Sequence, residues 1–507
     1  MNNILMKSQA YDLDEMAISR FGIPSKNLMG EAGRNVSKFI KDNIKNIKSV
    51  GIVAGKGNNG GDGFAAAFYL HKLDYDITIF SINSMDCLKP DSLHYYNKCI
   101  KNNIPIIVDS EPPSKKTSFD LIIDSILGIG FNGELKENVK KWSRWINQNS
   151  LILSCDIPTG VNSDTGNISI DTVKADYTIT MGYPKIGMFL EPGKSYSGLI
   201  TSVDIGFPKN IDELSGIKWK AITDGHIKKI IKPLDRDTHK YNQGKVLILA
   251  GSKGMTGAAY LATMGALRSG CGIVKTFTPG SLNDIYEKKI TEGMTVSCDD
   301  LGKGFFSKEN YNQIMDNIDW ADVVLIGPGL GTEIETIELL KELFNSIDKP
   351  MVIDADGFGP FYNDKNLINQ LKNEYVLTPH IGELSKLFGV NSENIKEDII
   401  SYIEKITSSR LGVVVAKNAP TLISDGNYGY INSSGNPGLA TAGTGDVLSG
   451  MIASFISQGY NLIESTVVSV YIHGYAADII SKKTSERGMI ASDLLIEIPN
   501  ILSEYEL

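Results

Sequence analysis

The chain reads as an α/β protein of two domains, on three observations. Short apolar runs recur along its whole length with helical stretches between them, the alternation a parallel sheet needs for its crossovers. Most of those runs end in glycine, proline or a charged residue, which puts the chemically active loops at one edge of each sheet. And 507 residues exceed what a single hydrophobic core ordinarily serves, so at least two cores are expected. A polar stretch over 213–222 is the predicted linker between a first domain, 1–212, and a second, 223–507.

In the first domain, apolar positions at helical spacing over 8–47 predict two helices broken at Gly22-Ile23-Pro24. The run 50–54 (VGIVA) is a buried strand feeding straight into 55–63 (GKGNNGGDG), with helix expected to resume at Phe64. Strand, glycine loop and helix are the context of a phosphate site. The GxGxxG match at Gly55, Gly57 and Gly60 is weak by itself, because the next strand, 76–81 (DITIFS), lacks the terminal acid that would hold a ribose. Asn58, Asn59 and Asp62 add side-chain oxygens that suit a hydroxyl or a cation; a tight turn capped by Asn and Asp is the competing reading. Two later strands, 119–124 and 150–156, end in Asp124 and Asp156 and lead into loops carrying Gly128, Gly130, Gly133 and Thr159. Parallel pairing would bring Asn59, Asp124, Asp156 and Thr159 to one crevice, where hard oxygens favour a monovalent or hard divalent cation over zinc. Strands at 176–180 and 200–205 complete the domain.

In the second domain a short helix after Asp224 precedes the strand 245–249, and Thr256 opens a helix of small residues reaching Ser269. Those small residues admit either a ligand or a closely packed neighbour. Strands at 321–326, 351–354, 375–377 and 412–416 follow, ending in GPGLG, ADG, TPHIGE and KNAPT. They bring His380 and Lys417 to the same edge, where Lys417 could hold a phosphate as a point charge. The stretch 436–450, NPGLATAGTGDVLSG, runs small residues into an apolar helix over 447–456. A helix start of this kind exposes unpaired N–H groups at the positive end of the helix dipole. Asp446 inside it is costly beside phosphate unless it takes a proton from an attacking hydroxyl, and the alternative is an aspartate stabilising the first turn. Helices at 462–480 and 492–502 close the chain.

Bulk composition narrows the function. A formal net charge of −9 leaves no basic surplus for nucleic acid. Five scattered cysteines without CxxC spacing fit a reducing cytoplasm rather than a disulfide framework or a zinc site. The first residues lack an apolar signal core and no run of about 18 apolar residues occurs, so a cytoplasmic protein without a membrane partner is expected.

Taken together, the motifs carry a resemblance. The Gly443-Thr444-Gly445-Asp446 loop resembles the GxGD turn of ribokinase-like enzymes, and GSKGMTGAA, GPGLG, TPHIGE, KNAPT and NPGLATAGTGDVLSG narrow it to the NAD(P)H-hydrate dehydratases. In the first domain, GKGNNGGDGF and CDIPTGVNSDTG are similar to the NAD(P)H-hydrate epimerases. The resemblance implies two three-layer α/β/α domains, Rossmann-like then ribokinase-like. It also implies repair of NADHX and NADPHX, in which the first domain interconverts R and S hydrates. The second restores the S form at the expense of ADP, giving AMP and phosphate. A small-molecule kinase with an N-terminal ligand-binding domain is the alternative.

Carried onto this chain, epimerase contacts fall on Asn58, Asn59, Gly60, Gly61 and Asp62, on Gly128, Ile129, Gly130, Phe131, Asn132, Gly133 and Glu134, and on Asp156. Potassium would sit with Asn59, Asp124 and Thr159. Dehydratase contacts fall on Ala258, Gly329, His380 and Asp446, with ADP on Lys417, Asn418, Ala419, Pro420, Thr421 and Gly445, and Mg2+ beside it. Asp446 is the expected catalytic acid-base group there; Asp124 and Asp156 are both open candidates for moving the epimerisation proton. Asn418 stands where the family usually has glycine, and asparagine tolerates a left-handed backbone, so the loop shape is expected to survive. The implied partners are small molecules only, in a homo-oligomer.

Overall fold

The computed structural model describes residues 2–113, 119–149, 151–209, 211, 216–408 and 412–506; residues 212–215, at the expected domain boundary, and Ser150 of the expected 150–156 strand lie outside these. The chain divides into two compact units, 2–219 and 220–507.

The first unit is built on a parallel sheet in the spatial order Ile106–Val108, Asp76–Ser81, Ser49–Ala54, Leu121–Ser125, Ile152–Cys155, Tyr177–Met181, Leu199–Val203. The central strands are buried end to end because both faces are covered. Ile52 and Ala54 pack with the helices Ser25–Asn43, Asn58–His71 and Pro90–Lys101, while Val53 faces Trp142 and Trp145 of Glu137–Ile146. Alternate residues of one strand thus serve two helical layers. Strand order reverses between Ser49–Ala54 and Leu121–Ser125, so a crevice opens at their carboxyl ends.

Helix here begins at Asn58, not at Phe64 as expected. Gly60 permits the early start: a Cβ there would lie 1.8 Å from the Gly55 carbonyl oxygen, so only glycine lets the first turn close over the strand end. Asn59 and Asp62 consequently sit on a helix rather than a free loop.

The second unit carries a sheet whose order runs Gly429–Asn432, Thr421–Ser424, Gly412–Ala416, Tyr375–Leu377, Met351–Ile353, Val323–Ile326, Lys245–Leu249, Ile273–Pro279, Met294–Cys298. All neighbours are parallel except Thr421–Ser424, which runs against both of its partners. That hairpin and the strands Ile273–Pro279 and Met294–Cys298 were not anticipated. Asp425-Gly426 between two β-rich runs was the signal for the hairpin. On one face of the sheet, Val246, Ile248 and Val323 pack with the helices Thr256–Arg268, Thr444–Ser457, Leu462–Lys483 and Ala491–Leu502. Small residues in the first two helices serve their mutual approach, since a Cβ at Gly450 would lie 2.1 Å from the Ala262 carbonyl oxygen. The helix after the 375–377 strand starts at Ile381, so His380 is its N-cap rather than a loop residue.

Candidate active sites

The crevice of the first unit is a cavity of about 1000 Å³ whose walls include Asn58, Asn59, Asp62, Gly128, Ile129, Gly130, Phe131, Asn132, Glu134 and Asp156. Gly60, Gly61 and Gly133 do not line it: Gly60 packs on Gly55, Gly61 on Met29 and Ser92, and Gly133 makes a left-handed turn. Asp124 is fully buried and also off the wall. Its carboxylate accepts from Ser154 Oγ at 2.9 Å, Thr159 N at 2.8 Å, Thr159 Oγ1 at 2.7 Å and Ile126 N at 3.3 Å. Burial still holds this carboxyl above the usual range against those hydrogen bonds. Asn59 donates Nδ2–H to the Leu127 carbonyl at 2.8 Å, while its Oδ1 is buried with no hydrogen-bond partner. Asn59, Asp124 and Thr159 thus meet around the 127 loop, and one buried oxygen among them is left without a hydrogen bond.

Asp156 follows its strand with φ of 65°, a left-handed turn that projects the carboxylate into the cavity. Oδ1 accepts from Met181 N and Thr180 Oγ1, each at 3.2 Å, and forms an ion pair with Lys185, whose ammonium also donates to Thr180 Oγ1 at 3.0 Å. Lys185 is buried, and no sequence reading singled it out. Nor did any flag Asp14, which reaches the same cavity from the helix Lys7–Ser19. Helical periodicity marks Asp14 only as a polar position.

In the second unit the site forms around the N-terminus of Thr444–Ser457. Gly443 enters it with φ of 93°, and His473 Nε2–H donates to the Thr444 carbonyl at 2.9 Å. Burial keeps that histidine neutral, lowering its pKa to about 4. The Lys417 ammonium lies beside Gly445, 3.4 Å from where a Cβ would stand, and donates to Asp354 Oδ1 at 2.7 Å. Asp354 is sealed in the sheet and also accepts from Thr378 Oγ1 at 2.6 Å. Burial works against the Lys417 charge, but Asp354, Glu383 and Asp446 outweigh it and raise its pKa. Burial, then the nearby Asp354, pushes Asp446 up to about 7. Glu383 is likewise raised to about 7, by burial with Lys417 opposing.

His380 caps its helix by accepting from Glu383 N at 3.2 Å, and its own N–H donates to Glu383 Oε2 at 2.7 Å. A backbone bond from Lys417 N to the Pro379 carbonyl at 2.9 Å ties this turn to Lys417. Ala258 and Gly329 are neighbours, since a Cβ on Gly329 would sit 2.9 Å from that of Ala258. Asn418 and Ala419 are exposed at the strand end, and Thr421 Oγ1 donates to the Asn418 carbonyl at 3.2 Å. Asn418 does not adopt a left-handed backbone, so the tolerance expected of asparagine plays no part in holding the loop. Asp354 and Glu383 were visible as strand-end and helix-start acids, but nothing in their spacing announced that they share Lys417.

An α/β unit with a carboxylate-lined pocket, and a second with an acid at a glycine-rich helix start, define a two-site enzyme of small-molecule chemistry. Residues 246–500 match the family described as NAD(P)H-hydrate dehydratase, and residues 25–187 match the YjeF-related protein N-terminus. The bifunctional NAD(P)H-hydrate repair enzyme Nnr of Moorella thermoacetica is 32% identical over 506 residues, covering 97% of this chain and 95% of that protein. Its counterpart in Thermofilum pendens is 33% identical over 498 residues, covering 97% and 94%. The ADP/ATP-dependent NAD(P)H-hydrate dehydratase of Bacillus subtilis, co-crystallised with ATP and Mg2+, is 25% identical with a TM-score of 0.48, covering 56% of this chain and 98% of that one. The chain belongs to the bifunctional NAD(P)H-hydrate repair enzyme family, its epimerase-related half first and its dehydratase half second.

Proposed function

We propose that residues 1–212 epimerise the R and S hydrates of NADH and NADPH in the first cavity, and that residues 223–507 dehydrate the S hydrate with ADP. The observation that supports the second step most directly is the Asp446 carboxyl near pKa 7, beside Lys417 at an open helix start. Hydroxide leaves a saturated carbon poorly, whereas a phosphate ester leaves well. Asp446 takes the C6 hydroxyl proton as the oxygen attacks the terminal phosphorus of ADP. Lys417 and the Gly443–Gly445 amides stabilise the charge on the transferring group. The P–O bond to AMP breaks in that transfer and AMP departs. The C6–O bond of the ester then breaks with loss of the C5 proton, phosphate leaves and the ring double bond is restored. Asn418, Ala419, Pro420 and Thr421 hold the nucleotide, and Ala258, Gly329 and His380 hold the hydrate.

Mg2+ would arrive on the diphosphate, keeping several of its own waters. In the first unit the unpartnered Asn59 Oδ1, with Asp124 and Thr159, fits potassium. That ion would offset the buried Asp124 charge and fix the 127 loop. The Asp156 carboxylate, held by Lys185, faces the hydrate ring, with Asn58, Asp62 and the Gly128, Ile129, Gly130, Phe131, Asn132 and Glu134 wall around it. No described helix is long and apolar enough to cross a membrane. A cytoplasmic homo-oligomer is part of the same reading.

Mixing authentic S hydrate, ADP and Mg2+ with the protein tests it. AMP, free phosphate and recovery of near-ultraviolet absorbance are expected. A persistent phosphorylated substrate would instead establish the small-molecule kinase.

A further inference from the structure

Asp14 and Asp62 both line the first cavity, and their carboxyls receive no hydrogen bond from the described residues. The buried lysine on that wall, Lys185, is already engaged by Asp156 and Thr180. Asp14 and Asp62 are thus left beside a buried lysine that is already paired, and mutual repulsion among these two and Asp156 leaves a proton on the least compensated of them. Burial, then Asp156 and Asp14, push Asp62 well above the carboxylate range, with Lys185 opposing. Asp14 is raised only to about 6, by burial, with Lys185 lowering and Asp156 adding to it. The other charged groups on the wall are Glu15, Glu134, Lys56, Lys89 and Lys136, with the Cys155 thiol behind Asp62.

The hydrate carries its hydroxyl on C6, next to the ring nitrogen. Hydroxide is a poor leaving group from that carbon; water, pushed by the nitrogen lone pair, is a good one. We propose that Asp62 is the catalytic acid that protonates the C6 hydroxyl during epimerisation and that Asp14 is the positioning carboxylate that keeps the proton on it, resting on the assignment of this cavity to the hydrate. The proton passes from the Asp62 carboxyl to the hydroxyl oxygen, the C6–O bond breaks, and water departs. The nitrogen pair forms the N1–C6 double bond of a cation that the Asp156 carboxylate faces. Water then adds to the opposite face of C6, returns a proton to Asp62, and the electron pair goes back to nitrogen. Only the configuration at C6 changes, and the water consumed equals the water released.

The test follows R-to-S interconversion by chiral chromatography, on the full chain without nucleotide, between pH 5 and 9. Asp62→Asn is expected to slow interconversion by about 100-fold or more, with an unchanged circular dichroism spectrum. Because the protonated form of Asp62 acts, the rate falls as pH rises through its pKa. Asp14→Asn removes a like charge, so that fall should move down by about one pH unit or more, and Asp14→Glu should restore it. An Asp62→Asn rate within threefold of wild type, or an unmoved alkaline limb in Asp14→Asn, overturns the assignment of these roles while leaving the cavity an epimerase site. Should Asp62→Asn fail to fold, the Asp14 pair still decides. Wild-type protein that interconverts nothing at any pH overturns the epimerase reading of the cavity, and this inference with it.

Discussion

Each unit pairs one lysine of its site with one of several nearby carboxyls, and the two clusters are wired in opposite senses. In the first, Lys185 pairs with Asp156, which faces the cavity, and leaves Asp14 and Asp62 without a cation of their own. In the second, Lys417 pairs with Asp354, which is sealed beneath the site, so the ammonium itself stands beside Gly445 at the helix start. On the proposed roles, carboxyls left without a paired cation in the first cavity retain a proton to give. In the second, on the proposed mechanism, the outward ammonium receives phosphate, while burial and Asp354, against Lys417, raise the Asp446 pKa to about 7 so that it can take a proton. Environment, not residue type, separates an acid from a base here.

The largest effect expected of this contrast is at Asp446. Asp446→Asn should lower S-hydrate dehydration by about 10²–10⁴-fold, with ADP affinity by calorimetry nearly unchanged; near-normal turnover would remove Asp446 from the mechanism.

Lysine replacement separates the two wirings next. Lys417→Met strands the sealed Asp354 and should cost about 3–5 kcal/mol in denaturant unfolding of the second unit. Lys185→Met should cost less, because Asp156 opens to the cavity. Equal losses would break the distinction between a sealed and an open partner.

The cation side of the contrast is smaller. Replacing potassium by lithium, or Asn59 by Ala, should slow R-to-S interconversion roughly tenfold while dehydration of S hydrate is untouched. A parallel loss of both activities would sink the assignment of that ion to the first unit.

The pH profile sharpens the second site further. On the proposed mechanism Asp446 acts ionised, and its pKa is raised to about 7, so kcat/KM for dehydration should rise with pH below about 7 and level off above it. A profile falling over that range would reverse the proton's direction.

The smallest change is Asn418→Gly, which should alter the ADP-to-ATP preference by no more than about twofold, since the side chain is exposed and its backbone is not left-handed.

Much of this architecture was readable from residues alone. Continuous apolar runs ending in Asp124, Asp156 and Lys417 identified parallel strands and the edge where their loops gather, because strands covered on both faces tolerate little else. What escaped notice depends on tertiary neighbours. Asp14 looks like any polar position of an amphipathic helix until folding sets it on the cavity wall. Lys185 follows a strand by four residues and gains meaning only from the carboxylate it meets. The early helix start at Asn58 was hidden for a different reason: glycines read as a loop, whereas here they let a helix press against the strand end.

The hairpin that leaves the Lys417 turn has a consequence for how this protein can diverge. Val414 lies opposite Ser424, Val415 opposite Ile423 and Ala416 opposite Leu422, so the turn between them is clamped on both flanks. A one-residue slip in register there would exchange Leu422 and Ile423 between the two buried faces of the sheet. Surface loops usually drift in length; this one is frozen. If the turn holds the nucleotide as proposed, retuning which nucleotide it accepts has to come from swapping side chains at constant spacing.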